Sequence, residues 1–282
     1  MPSTLDIRRR IKSVKNTAQI TKAMQMVAAA KMRKAQAAAI AGRPYQEMLT
    51  RVLAALKSRV DPSSHKLLAV RPVKQELIMI FSTDKGLCGP LNTNLFRELA
   101  AVDPAKSEYA VSGRKAVQFT ARTRRKLTAD FALRDTISFS EVRPIARFVS
   151  DKFISDEVDQ VRVLYPKFVN TLTQQPVLRI LLPIPAEELD LGGPQAGGEY
   201  LFEPDEQNVL DSILPHYVAF QLFQMALNAR ASEHSARMVA MKNATDNAKQ
   251  LVNDLTLEYN KVRQANITTE LLEITTAQLA VG

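Results

Sequence analysis

Three histidines, one cysteine and one glycine-containing loop are the groups from which this 282-residue chain could build chemistry. His65, His216 and His234 are too scattered to form a metal-ligand pair or a triad by spacing. His234 follows Glu233, but no second histidine stands one helical turn away, so the helical zinc-hydrolase pattern fails. The three are expected to be structural or surface residues. Gly86-Leu87-Cys88-Gly89 lies between an apolar run and a helical pattern, where a loop can cradle phosphate. It has neither the dinucleotide glycine spacing nor the Gly-Lys-Ser/Thr that closes a P-loop. A tight strand-to-helix turn is the simpler expectation. Cys88, with no paired histidine, reads as a small buried residue. A single cysteine also excludes a disulfide framework and suits a reducing compartment. These residues therefore point to no catalytic group, no cofactor and no metal.

The other chemistry is charge. The formal net charge is +9. Arg8, Arg9, Arg10, Lys12, Lys15, Lys22, Lys31, Arg33, Lys34 and Arg43 face one acid, Asp6, just before them. Such a one-sided surface is expected to meet an acidic partner. Nucleic acid is the alternative partner. Against it, no aromatic residue falls between Arg8 and Arg43 to stack on bases, and no groove-reading motif is visible. Met24, Met26 and Met32, with Met225, Met238 and Met241, are expected to fill a core or an adaptable contact.

Long helices must carry these residues. Neither glycine nor proline occurs from Ser3 to Ala41 or from His216 to Val281. Ile7, Ile11, Val14, Ala18, Thr21, Gln25, Ala28, Met32, Ala35 and Ala39 alternate four- and three-residue steps, the seam of a coiled coil. Val218, Leu222, Met225, Ala229, Ser232, Ala236 and Val239 do the same. The rhythm restarts at Met241, Thr245, Ala248, Val252, Leu255, Tyr259 and Val262, so the seam drifts around the helix there. Arg43-Pro44 is expected to interrupt the first helix, Tyr45 to Arg59 to resume it, and Asp61-Pro62 to end it. Pro215 is expected in the first turn of the last helix. That helix would reach roughly 100 Å at ~1.5 Å per residue and needs a partner along its length.

Between these segments the period changes. Residues 76–81 form a short apolar run suited to a buried strand. Residues 92–102 look helical, with Asn92 as a possible cap, and 108–112 look like a strand. Residues 144–160 have an amphipathic helical pattern, and 161–169 and 176–183 read as strands. Strands alternating with helices predict a layered α/β domain over 70–195, flanked by helical segments 1–60 and 204–282. The charged N-terminus has no secretory pattern, and no apolar stretch approaches the ~18 residues that would span a bilayer.

The motifs go further. Asp6-Ile7-Arg8-Arg9-Arg10-Ile11, Ile20-Thr21-Lys22-Ala23-Met24-Gln25-Met26-Val27-Ala28 and Lys31-Met32 closely resemble the N-terminus of F-type ATP synthase gamma subunits. Residues 82–89, Ser-Thr-Asp-Lys-Gly-Leu-Cys-Gly, resemble that family's central loop. Residues 232–241 and 259–271 resemble its C-terminal signature. The resemblance implies an antiparallel coiled coil of the two terminal helices beside a Rossmann-like α/β domain. It implies a non-catalytic rotor, with alpha and beta subunits around the coil and the epsilon subunit and the c ring at the central domain. It places the chain peripherally, on the cytoplasmic face of a bacterial plasma membrane. By the same resemblance Lys22, Met24, Arg237, Arg263 and Gln264 contact beta subunits. Tyr200 and Glu203 meet the c ring or epsilon, and the apolar tip at 271–281 sits in a bearing of the catalytic hexamer.

Overall fold

A computed structural model describes residues 3–57, 65–185, 203 and 205–281. In chain order the elements are α1 (Thr4–Ala41), α2 (Arg43–Lys57), β1 (Glu76–Phe81), α3 (Leu91–Arg97), β2 (Ser107–Ser112), α4 (Arg114–Arg122), β3 (Lys126–Asp130), α5 (Phe139–Ile154), β4 (Gln160–Phe168), β5 (Gln174–Leu182) and α6 (Glu206–Val281). The chain divides into two compact units. One is Met1–Ala28 with Arg237–Gly282, the other Ala29–Ala236.

In the first unit α1 and α6 run antiparallel. Arg8 donates to the Tyr259 hydroxyl at 2.6 Å, and the Thr21 and Thr245 hydroxyls meet at 2.7 Å. The residues of the sequence seam are shielded from solvent. Ile7, Thr21 and Ala28 are buried on α1, with Ile11, Val14, Ala18 and Gln25 half-buried between them. On α6, Met241, Thr245, Ala248 and Leu255 are buried and Val252, Tyr259 and Val262 half-buried. Residues 237–240 are all half-buried, which is the seam drift that the sequence shows.

The second unit holds a five-stranded sheet of order β3-β2-β1-β4-β5. β1 pairs in parallel with β2 and β4, β2 with β3, and β5 runs antiparallel to β4. Every residue of β1 is buried, because a central parallel strand is covered on both faces. Its side chains alternate between two cores. Leu77, Met79 and Phe81 join Leu53 of α2, Ile145 and Val149 of α5 and Val218 and Leu222 of α6. Ile78 and Ile80 join Leu95 of α3 and Ala116 of α4 on the other face. The break between α1 and α2 falls at Gly42, just before Pro44. A Cβ there would lie 1.9 Å from the Gln224 amide nitrogen on α6, so glycine permits this close approach.

Several boundaries differ from the sequence expectations. Helix α5 starts at Phe139, not Pro144, because Ser138 and Glu141 form a capping box upstream of the proline. Helix α6 starts at Glu206, not Pro215. The Asp205 carboxylate accepts the Asn208 backbone N–H at 2.9 Å and caps the helix ten residues before that proline. Asn92 lies inside α3, where its amide donates to Thr83 Oγ1 at 2.8 Å instead of capping. Helix α2 begins at Arg43 and is described to Lys57, so the expected stop at Asp61-Pro62 lies outside the described residues. Helix α4 and strand β3 have no counterpart among the expectations. Strand β3 is an almost wholly exposed edge, so its sequence carries no apolar alternation.

Candidate partner-contact surface

Five of the seven sequence-predicted contact residues lie in the coiled-coil unit. Lys22, Arg263 and Gln264 are exposed, while Met24 and Arg237 are half-buried beside the seam. The two cross-helix bonds set the register: 13 residues along α1 match 14 along α6 in the opposite direction. Met24 then stands level with about residue 242 of α6, and Arg237 about 8 Å further along that helix. Arg263 and Gln264 stand opposite the start of α1, ~30 Å from Met24 along the axis. The residues therefore form two levels of one rod, not one site.

That register also explains a sharp change in exposure. Helix α1 begins at Thr4, which falls opposite about residue 263. From Arg263 to Gln278 every residue of α6 is exposed, including Ile267, Leu271, Leu272 and Ile274. A solvent-facing helix should be polar, so four large apolar side chains on an unpaired end mark a surface made to be covered. Exposed Leu5, Ile20, Met26 and Val27 on α1 interrupt its basic face in the same way.

Buried polar groups in the rod are few. Thr21 can donate to the Ala18 carbonyl and Thr245 to that of Met241, while the two hydroxyls also face each other. Two protons serve three bonds, so one hydroxyl donates across the seam while the other donates within its own helix.

In the second unit Glu203 is exposed in a bend before α6, and Tyr200 lies outside the described residues. The histidines have structural partners. His65 Nδ1 accepts the Leu67 N–H, and burial holds its imidazole below the ordinary pKa. His216 shares a 2.7 Å hydrogen bond with Tyr45, and buried His234 lies 3.1 Å from Asp135. Gly86-Leu87-Cys88-Gly89 is a tight turn, with positive φ at Leu87 and Gly89. Cys88 is buried against Leu91 and Ala236 and receives the Asn92 amide at 3.5 Å. No group of three or more His, Cys, Asp or Glu among the described residues is placed to hold a metal ion.

One cluster leaves no trace in the spacing of residues along the chain. Arg230 to Ser235 are buried without exception, although five of these six residues are polar. The guanidinium of Arg230 donates to Glu233 and to the Leu133 carbonyl, each at 2.8 Å, and lies 3.7 Å from Asp84. Asp135 faces His234 and pairs with Lys31 of α1. Burial alone would raise the Asp135 pKa, but Lys31, His234 and Arg230 together hold it below the ordinary carboxylate value. A cavity of about 220 Å³ opens beside this cluster. The seam rhythm, which carries Ser232 as one ordinary position, gives no hint that polar residues line every side of the helix.

Comparison with known proteins decides the family. A sequence profile described as ATP synthase matches residues 3–281. The "ATP synthase gamma chain" of Opitutus terrae is 52% identical across the whole of both chains, and that of Akkermansia muciniphila 48%. The chain belongs to the ATP synthase gamma family. The fold agrees with this membership. A chain from the Euglena gracilis mitochondrial ATP synthase structure covering OSCP, F1 and the c-ring superposes with a TM-score of 0.73. It covers 99% of this chain and 94% of its own at 22% identity. A rotor chain from the same organism gives 0.67 over 94% and 98% at 23% identity. Among the described residues, no helix is long and apolar enough to cross a membrane. Nothing in the comparisons points to nucleic acid.

Proposed function

We propose that the chain is the central-stalk rotor subunit of an F-type ATP synthase, carrying rotation between a proton-driven c ring and the catalytic hexamer. The observation that carries this is the whole-length match to gamma chains, together with an antiparallel rod that ends in an unpaired, apolar-studded helix. Segments 1–60 and 204–282 act as the shaft and 70–195 as the central domain. Alpha and beta subunits surround the shaft. Lys22, Met24, Arg237, Arg263 and Gln264 meet beta subunits, and the tip at 271–281 turns in an apolar sleeve. Tyr200 and Glu203 meet the c ring or epsilon. The chain has no catalytic site of its own, and it sits peripherally at the cytoplasmic face of a bacterial plasma membrane through the c ring.

A rod that turns must be held without a deep anchor, because one tight hot spot would stop it. Diffuse positive charge against acidic loops orients the rod with little loss at each angle. The test is direct. Lys106 is exposed and Cys88 buried, so within this chain a thiol label on Lys106→Cys marks the new cysteine and not Cys88. In a complex assembled with alpha and beta subunits and fixed through the hexamer, a bead on that cysteine should turn in one direction when ATP is added. A complex that hydrolyses ATP while the bead stays still would overturn the proposal.

A further inference from the structure

We infer that the buried polar segment of α6, with Arg230, Ser232, His234 and Ser235 gripping Leu133, Asp135, Pro166 and Thr171, is the joint that fixes the rotational setting of α6 in the sheet domain. This rests on the rotor reading and names the residues on which transmission depends. All of it lies within the unit Ala29–Ala236.

The geometry has two sides. Arg230 and His234 are four residues apart, and both reach the stretch between β3 and α5: Arg230 donates to the Leu133 carbonyl at 2.8 Å, and His234 lies 3.1 Å from the Asp135 carboxylate. Ser232 and Ser235 are three residues apart and point elsewhere. Ser232 donates to the Pro166 carbonyl of β4 at 2.8 Å, and Ser235 to the Thr171 carbonyl in the β4–β5 turn at 2.7 Å. At about 100° per residue the two pairs project from the helix roughly 150° apart. Rotation of α6 about its own axis therefore strains both pairs together. An apolar collar would resist such rotation weakly, because hydrophobic contact is non-directional.

Composition supports the same conclusion. A buried polar turn is costly unless each group is satisfied. A helix that needed only burial here would carry Leu or Ala, as α6 does at Leu222, Ala226 and Ala229. Five polar side chains in six buried positions instead supply directional bonds and hold a single rotational setting.

The experiment uses the assembled complex in inside-out vesicles. ATP hydrolysis and proton pumping are read against an increasing opposing proton gradient. The native chain must first give coupled pumping; a native complex that hydrolyses ATP without pumping overturns the rotor reading, and the joint with it. Each side of the collar is then weakened, by Ser232→Ala with Ser235→Ala and, separately, by Asp135→Asn on a half-exposed carboxylate. Loss of one such bond should raise the population of slipped joints by about two- to tenfold. Protons pumped per ATP should then fall as the gradient grows, while hydrolysis without a gradient stays near native. Ser235→Thr, which keeps the hydroxyl, should restore coupling. An unchanged pumping ratio in both variants at every gradient would overturn the inference. So would a Ser235→Thr variant as uncoupled as the alanine form, since the loss would then be one of packing. If the serine pair does not assemble, Asp135→Asn decides alone.

Discussion

Met24 is half-buried at the edge of the coiled-coil seam, next to Gln25, which places a flexible thioether where a partner and the neighbouring helix can both touch it. Met24→Lys should leave assembly and hydrolysis near native and lower protons pumped per ATP; an unchanged ratio would remove Met24 from the contacts. Glu108 is a residue of a different kind. Its carboxylate accepts from Lys152 at 3.0 Å and is paired with Lys126, with Glu108 and Lys152 both largely shielded. Burial would raise its pKa, but the two ammonium groups outweigh burial and hold it below 4.5. Burial would likewise lower the Lys152 pKa, but Glu157 and Glu108 keep it above 10.5. A lowered acid stabilises the fold above its unfolded pKa, and that stability is lost as pH falls through the folded one. A raised base stabilises the fold below its unfolded pKa and loses that stability as pH rises through the folded one. The cluster is thus fully stabilising between pH 4.5 and 10.5. Glu108→Gln should cost about 1–3 kcal/mol at neutral pH. It should also flatten the fall in stability below pH 4.5, as followed by urea unfolding across pH.

At the scale of elements, the seam of α1 and α6 is narrow and built partly from small residues. Ala18 and Ala28 on one helix and Ala248 on the other let the backbones come close but bury little area each. Ala28 is only 2% exposed, so Ala28→Leu has no room and should destabilise the rod by about 1–3 kcal/mol. Hydrogen exchange should then quicken over 4–28 and 237–262 and stay unchanged in β1. The end of α6 obeys a different rule. Residues 263–278 have no described neighbour to bury them, so removing 271–281 should leave the melting temperature of the isolated chain within about 1 °C of native. A fall of several degrees would show that the tip folds back on the chain. Gly113 makes the opposite case at the sheet. Its φ is +105°, and a Cβ there would lie 2.4 Å from the Ser82 carbonyl oxygen, so substitution at the start of α4 strains the backbone and collides with β1's exit.

At the scale of the whole molecule, stability is unevenly shared. The sheet unit has two cores and a fully buried central strand, whereas the rod unit relies on one seam. Unfolding of the isolated chain should therefore depart from two-state behaviour, with helical signal lost before the tertiary signal of the sheet unit. Coincident far- and near-ultraviolet melting curves would refute this. In the assembled enzyme the partners that cover the exposed apolar positions should remove the difference, because whatever binds only the folded rod stabilises it.

The sequence by itself determined the rod. Glycine and proline are absent from both long segments, and every position that the four–three rhythm names on α1 from Ile7 to Ala39 is shielded, because helical period is a local property that side-chain polarity records directly. The strands that lie at or near the sheet centre were legible for the same reason. Strand β3 was not, since an exposed edge has no apolar pattern to display, nor was helix α4, whose buried positions Ala116 and Thr120 carry no large apolar side chain. Prolines misled where a capping residue upstream had already fixed the start of a helix. The register of the rod, the level at which α1 leaves α6 alone, and the polar collar around Arg230–Ser235 were decided only by tertiary structure. Each depends on which distant backbone carbonyl or carboxylate faces a side chain, and spacing along one chain carries no record of that.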